Sequence, residues 1–479
     1  MKNQVRRNKT KIVATLGPTS ESKPKVKELI QAGLNVARLN FSHGGHDVQL
    51  NRINIVRDLN KELGVNVGLL QDLQGPKIRI GEVENEGVEI NVGEELVICS
   101  TPMVGNRHKV STTYESLTDD VEIGDPILID DGNLELKVID KGEGEVKTIV
   151  VHGGMLKSKK GINLPGSNLS TPSMTQKDLD DLQFGLEHNV DWVALSFVRR
   201  AEDIIELKNI IKQAGKTTKV VAKIEKPEAV NNIDEIINVT DAIMVARGDL
   251  GVEIPMEEVP VIQKEIIKKC NMAAKPVIVA TQMLDSMINN PRPTRAEASD
   301  VANAILDGAD AVMLSGETAF GNYPPLAVGA MSKIIKSVEN NSEHIYNRNF
   351  ELEKSSKTYN EDRVLASSAY LARDTEAVAI TGMTFTGYTA FKVSRFRPKA
   401  EIQIFTDNMQ LLTQLSLIWG VRGYFKEKFA ESTEEAFLTI NEDLKSLGEI
   451  QDGDLVVTTG TLPIANKERT NTIRLTKVS

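Results

Sequence analysis

The stretch VVAKIEK (220–226) begins as a buried strand and ends in charge. Val220 and Val221 suit a covered sheet, yet Lys223 and Glu225 follow almost at once. Side chains alternate along a strand, so Lys223 and Glu225 share one face while Ala222 and Ile224 share the other. A surface-reaching strand end with an incidental ion pair would read the same way locally, so the surrounding chain has to decide.

The pattern repeats in both directions. Short apolar runs stand at KIVATLG (11–17), VARLNFS (36–42), VGLLQDL (67–73), DWVALSF (191–197), KVVAKIE (219–225), AIMVARG (242–248), PVIVATQ (276–282) and AVMLSGE (311–317). Helical patterns separate them. DVQLNRINIVRDLNKELG stops at Gly64, and Thr294 with Glu297 forms a capping box for a helix ending near Gly308. Eight strand–helix units predict a parallel (β/α)8 TIM barrel over 1–75 and 173–346, with an open doubly wound sheet as the alternative.

Between the third and fourth strands the texture changes. Residues 76–172 carry short alternating runs such as VEINVGEELVICS and PILIDDGNLELKVID, punctuated by VGE, IGD, DDGN and KGEG turns. This predicts an inserted small antiparallel β domain, a β-barrel lid hung from the mouth. After the barrel, NRNFELEKSSKTYNED (347–362) reads as a linker. Strands at EAVAITG, AEIQIFTD and GDLVVTTG then predict a C-terminal α/β domain over 347–479.

Bulk properties narrow the function. A length of 479 residues calls for several domains, and 40% hydrophobic content is ample for globular cores. A formal net charge of −10 argues against a nucleic-acid partner while allowing local basic pockets. Cys99 and Cys270 are too few for a disulfide framework or thiolate metal cluster. MKNQVRRNKTK is basic but leads into a strand rather than an apolar signal core, and no run is long enough to span a membrane. A soluble cytoplasmic protein is expected.

A packed barrel keeps its chemistry at the C-terminal mouth, and here the strand ends are polar. Arg38, Asn40 and Ser42 share one parity, Asp72 closes LLQD with Arg79 just beyond, Thr281 closes IVAT, and Ser315 with Glu317 closes VMLSGE. RGDLG puts Asp249 in a glycine-lined turn beside Glu225. These two carboxylates, with no histidine or cysteine nearby in sequence, offer hard oxygen ligands for Mg2+ or Mn2+, with substrate and water completing the shell. Arg38, Arg79 and Lys223 point toward the same mouth and imply a phosphate- or carboxylate-bearing ligand. His43 and His46 flank a glycine turn, which by itself suggests a turn or cap role.

NVARLNFSHG, DLQGPKIR, KKGINLPG, AKIEKPEA, IMVARGDLGVEIP, ATQMLDSM and RPTRAEASDVANAILDGADAVMLSGETA together resemble the signatures of the pyruvate kinases. They cover both barrel segments and both hinges of the insertion, whereas the C-terminal domain matches mainly in pattern and in its TNTIRL ending. The resemblance implies phosphoryl transfer from phosphoenolpyruvate to ADP, followed by protonation of the enolate, with positioning and charge neutralisation carrying the catalysis. It implies Glu225 and Asp249 as divalent-metal ligands and Lys223 as the cation beside the transferring group. Arg38 and Arg79 become phosphate-binding residues. The Gly248–Asp249 backbone and Thr281 hold the substrate carboxylate, with Ser315 nearby and Thr281 a proton relay through water. Arg79, Asn40, His43 and Lys160 fall at nucleotide-binding positions. A homotetramer is implied on the same ground.

One departure is informative. Potassium-requiring members hold a monovalent cation near positions matching Asn40, Ser42, Asp72 and the carbonyl of Leu73, and an acid follows their Gly-Pro pair. Here Lys77 replaces that acid and Leu73 replaces the usual threonine. A tethered ammonium in place of K+ implies potassium-independent activity. In the C-terminal domain, TGMTFTGYT (381–389) offers hydroxyls and glycines between a strand and a helix, suited to a phosphorylated allosteric effector. The competing readings are a Mg2+-dependent pyruvate aldolase or lyase, which would not need the lid or Arg79, and a non-catalytic metabolite sensor.

Overall fold

The computed structural model describes residues 8–167, 170–430, 432–463 and 469–479. The segment MKNQVRR and residues 464–468 of the TTGTLPIANKERTNT loop lie outside the described residues. Eight parallel strands close into a barrel: Lys11–Thr15, Val36–Asn40, Gly68–Asp72, Trp192–Leu195, Lys219–Ile224, Ala242–Ala246, Val277–Ala280 and Ala311–Leu314. They stand in chain order around the ring, each beside the strands before and after it. Every apolar run quoted above supplies one of them.

Strand alternation sorts the core into two shells. Val13, Val36, Leu70, Trp192, Val221, Met244 and Ile278 fill the barrel interior. Ile12, Ala37, Leu39, Ala222 and Ile224 pack outward against the helices. Lys223 and Glu225 therefore continue the inward parity of Val221, which is what brings their charge to the mouth. The helices end where sequence signals predict. His46–Leu63 stops at Gly64 with φ 63°, and Arg295–Asp307 has the Thr294/Glu297 capping box and Gly308 as its left-handed cap.

The insertion is a curled half-barrel lid. Its six-stranded sheet runs Ile162–Asn163, Pro126–Ile129, Leu134–Gly142, Glu145–His152, Glu95–Cys99, Lys109–Ser111, beside a two-stranded ribbon of Val88–Ile90 and Gly154–Leu156. One pairing departs from the antiparallel expectation: Glu95–Cys99 and Lys109–Ser111 run parallel. The lid buries its own cluster around Ile98, Val110, Leu136 and Val146. At the first hinge Gly75 has φ 71°, and a Cβ there would lie 2.7 Å from the Phe197 ring. Only glycine fits.

The C-terminal sheet is mixed, in the order Val421–Phe425, Glu401–Thr406, Ala379–Met383, Leu455–Gly460, Thr472–Lys477, with the last strand antiparallel. Both edge strands escaped the sequence reading because their polar residues break the apolar run. The stretch 347–362 is also more than a linker. Arg348 donates to the carbonyls of Leu306 and Asp307, Phe350 and Leu352 pack on the C-terminal core, and the helix Tyr359–Asp374 begins inside it. Leu417 joins the barrel's interior cluster from the C-terminal region and plugs its floor. Both cysteines are free and buried. Among the described residues no helix is long and apolar enough to cross a membrane.

Candidate active site

The opening stretch delivers its charge to a network at the mouth. Lys223 Nζ lies 2.8 Å from Glu225 Oε1 and 3.3 Å from Asp72 Oδ1, and donates to Ser196 Oγ at 2.7 Å. Ser196 in turn donates to the carbonyl of Leu73 at 2.7 Å. Arg38 closes the other side, with Nε 2.6 Å from Asp72 Oδ2 and a terminal nitrogen 2.8 Å from Thr15 Oγ1. Glu225 Oε2 accepts from the amide of Phe197 at 2.8 Å. Asp72 and Glu225 are each 1% exposed, so these interactions act with little screening by water.

The titration behaviour follows from that burial. Burial alone would lower the Lys223 pKa, but Asp72, Glu225 and Asp249 outweigh it and raise it, keeping the ammonium charged. Burial pushes Asp72 up, yet Lys223 and Arg38 together hold its carboxyl below the usual aspartate range. Glu225 moves the other way: burial raises it, and Asp249 adds to the rise against the pull of Lys223. Asp249 is thus close enough to be felt at both Lys223 and Glu225. The result is a carboxylate pair with more negative charge than the single ammonium neutralises, a setting that favours a bound cation.

Asp249 does not sit in the turn expected from RGDLG. Arg247–Glu253 is a short helix with Asp249 in its first turn, because the chain continues helically straight from strand Ala242–Ala246. The Gly248 amide donates to Thr281 Oγ1 at 2.7 Å. Thr281 itself has φ 70°, a conformation that costs a β-branched residue on the order of 1–3 kcal/mol. Arg247 holds it there. Its guanidinium donates to the Thr281 carbonyl at 2.8 Å and is clamped by both oxygens of Asp300 at 2.7 Å. Glu317 is buried and accepts from the amides of Leu284 and Ser315, so its carboxylate shapes the loop rather than facing the mouth.

Other expected residues stand apart from this network. Asn40 Oδ1 accepts from the Ser42 amide, and the carbonyls of Asn40 and His43 both accept from Gln49. His43 is exposed. On the lid, Arg79 donates to the carbonyl of Lys159 at 3.0 Å and Lys160 pairs with Asp130 at 2.7 Å. Lys77 lies at the hinge, its Nζ 3.8 Å from where a Cβ on Gly161 would be. It lines a small cavity together with Asp249, Arg199 and Lys226.

Sequence reasoning missed three contributors. Ser196 links Lys223 to Leu73, and Arg247 supports Thr281. The third is a buried pair, Lys226 Nζ to Glu253 Oε1 at 2.6 Å, with the lid residue Asn163 donating to the same oxygen at 2.8 Å. Lys226 follows Glu225, and Glu253 shares a helix with Asp249, so this pair ties both acid-bearing segments to the lid's last strand. VVAKIEK and RGDLGVEIP show both charges, but nothing in the sequence pairs them. Among the described residues no group of three or more His, Cys, Asp or Glu is arranged to hold a metal. Any ion here takes two carboxylates and completes its shell elsewhere, as a hard divalent cation does.

A (β/α)8 barrel with such a mouth under an inserted β lid defines a barrel enzyme of anionic metabolites. The comparisons are specific about which. The family model described as "Pyruvate kinase, barrel domain" matches residues 7–328, and "Pyruvate kinase, alpha/beta domain" matches residues 362–476. A pyruvate kinase of Geobacillus stearothermophilus is 47% identical over 99% of this chain and 81% of its own. One from Staphylococcus aureus (strain MRSA252) is 44% identical over 98% of this chain and 80% of its own. The crystal structure of a pyruvate kinase from Cryptosporidium parvum superposes with a TM-score of 0.91 at 34% identity, covering 100% of this chain and 98% of that one. The chain belongs to the pyruvate kinase family. It is a phosphotransferase with pyruvate kinase activity.

Proposed function

We propose that Lys223, Glu225 and Asp249 are the centre at which the phosphoryl group of phosphoenolpyruvate passes to ADP. The observation that carries this is the Lys223 ammonium held 2.8 Å from buried Glu225 within the field of Asp249. Glu225 and Asp249 would hold Mg2+ or Mn2+, which supplies charge neutralisation to the phosphoryl group and enol oxygen. Lys223 stabilises the charge that grows on the oxygens as the P–O bond to the enol breaks and a new one forms to the terminal phosphate of ADP. Arg38 anchors the phosphate end. Thr281 and the Gly248–Asp249 backbone orient the substrate carboxylate, with Ser315 beside them. The enolate left behind takes a proton at carbon through a water relayed by Thr281. Arg79, Asn40, His43 and Lys160 receive the nucleotide, Arg79 and Lys160 moving in with the lid.

From the hinge, where it lines a cavity with Asp249, Lys77 supplies the positive charge that a monovalent cation would bring to the Asn40, Ser42, Asp72 and Leu73 positions. ATP formation from phosphoenolpyruvate and ADP in Mg2+ buffer free of potassium tests this. Full turnover is expected, and strong activation by added K+ would defeat the substitution. No ATP from any combination of these substrates would defeat the assignment of the centre itself.

In the C-terminal region a cavity of about 320 Å3 opens among Thr384, Thr386, Thr389 and Arg469. Its size and polarity suit the phosphorylated effector expected from TGMTFTGYT. The division at 1–75 with 173–346, 76–172 and 347–479, the homotetramer and a cytoplasmic location complete the reading.

A further inference from the structure

A second cavity beside the helix Tyr388–Ser394 lies between the barrel helices Ile233–Val239 and Val259–Ala273 and the C-terminal segment 351–362. It measures about 470 Å3, within the range of small-molecule sites. Lys269 and Lys275 reach it from the barrel, and Lys392 and Arg395 from the C-terminal region. We propose that this cavity binds a phosphate monoester of a small hydroxylated metabolite, with the phosphate held by Arg395 and Lys275. No part of this depends on the assignment of the catalytic centre.

Arg395 is the decisive residue. It is 5% exposed, and its buried Nε has no hydrogen-bond partner. Its guanidinium stacks over Phe350 at 5.4 Å and Phe396 at 5.0 Å. Aromatic faces offset only part of the cost of burying such a charge. Burial accordingly holds the Arg395 pKa below its ordinary value despite the field of Asp362.

Lys275 is in a similar position. Its ammonium donates to the Thr240 carbonyl, and burial, reinforced by Lys208, Lys392 and Lys219, brings its pKa to about 8. Asp241, the acid that opposes this, is itself bound to Lys208 at 2.9 Å.

The acids around the cavity do not meet this demand. Asp362 accepts from Tyr388, Lys392 and Thr358. Asp234 pairs with Lys269 at 2.8 Å. Glu351 and Glu353 are exposed at the rim. An arginine and a lysine without a carboxylate ligand therefore lie inside a ring of acids. A phosphate monoester supplies the charge and the acceptor oxygens for the inner pair. The rim acids accept hydroxyls and repel a second phosphate, so a sugar-phosphate-like molecule fits better than a polyphosphate. Because both structural units contribute, an occupied site would link the barrel helices to the C-terminal region.

Selenate, a tetrahedral dianion, is the probe. Crystals of the full-length protein soaked in selenate should show an anomalous peak within hydrogen-bonding distance of Arg395 and Lys275. Arg395→Gln should abolish it. Because that buried arginine also packs, Lys275→Gln and Lys392→Gln provide variants at half-buried positions. In equilibrium dialysis, each should weaken binding of inorganic phosphate at one site per chain by about tenfold. Turnover without effector should change less than twofold. A cavity without a peak while the barrel mouth is occupied would overturn the proposal, as would a peak that survives both Arg395→Gln and Lys275→Gln.

Discussion

At the floor of the barrel, Arg397 grips both oxygens of Asp310 at 2.8 and 2.9 Å, and Asp310 also accepts from the amides of Val277 and Trp419. At the mouth, Lys223 is shared between Glu225 and Asp72. Both ends bury carboxylates beside cations at the termini of barrel strands, Asp310 before Ala311–Leu314 and Asp72 and Glu225 at the far ends of Gly68–Asp72 and Lys219–Ile224, but they close the charge differently. The floor supplies fixed partners from the C-terminal region. The mouth sets Asp72, Glu225 and Asp249 against Lys223 and Arg38, leaving negative charge unmatched. Charge complete within the fold serves stability, and charge left incomplete waits for substrate and metal.

Breaking the floor pair gives the largest expected effect. Arg397→Met leaves Asp310 buried without its cation and should cost about 3–5 kcal/mol of stability. Denaturant unfolding measures it, and turnover per folded molecule should stay within a few-fold of the parent. A floor variant that lost activity without losing stability would erase the distinction between the two ends.

The mouth should respond in the opposite sense. Lys223→Met is expected to lower kcat roughly 10²–10³-fold, or more, in a coupled assay for ATP, while the folded fraction at assay temperature stays near one. A loss of activity that merely tracked unfolding would make Lys223 another structural cation. Arg247→Lys probes a milder dependence. Lysine cannot reproduce the two bonds to Asp300 together with the bond to the Thr281 carbonyl. The strained φ of Thr281 should then relax, and kcat should fall about tenfold to a hundredfold. Unchanged kcat with a lower melting temperature would assign Arg247 to packing alone.

The same contrast explains what could be read in the sequence. All eight barrel strands were legible because a buried parallel strand is a nearly continuous apolar run. Lys223, Glu225 and Asp72 were legible because alternation carries the inward parity of Val221 and Leu70 into polar residues. The charge at Asp249 was visible, but not its helix, since RGDLG is too short to show a period. Arg247, Ser196 and the Lys226–Glu253 pair were hidden for another reason. Their roles come from contacts between distant segments, and such contacts leave no periodic trace. The edge strands Val421–Phe425 and Thr472–Lys477 were hidden because one-sided burial leaves polar residues in place.

Lys11 gives the sharpest test of the floor, because its effect is confined to a narrow pH window and amounts to little per pH unit. It opens the first barrel strand, is 5% exposed, and donates to the Val421 carbonyl at 2.9 Å. Burial, with Arg422 adding to it, brings its pKa down from 10.5 to about 8. Below about pH 8 the residue is charged in both folded and unfolded chains, and the folded state bears the cost of burying that charge. Between about pH 8 and 10.5 the unfolded chain holds a proton that the folded one has released, so stability rises with pH. The contribution has a slope of at most about 1.4 kcal/mol per pH unit. Lys11→Met removes it. The stability difference between parent and variant, measured by denaturant unfolding from pH 7 to 10.5, should shift steadily toward the parent above pH 8. A flat difference would mean that the Val421 carbonyl holds the ammonium charged throughout, and that the floor tolerates unmatched charge as readily as the mouth does.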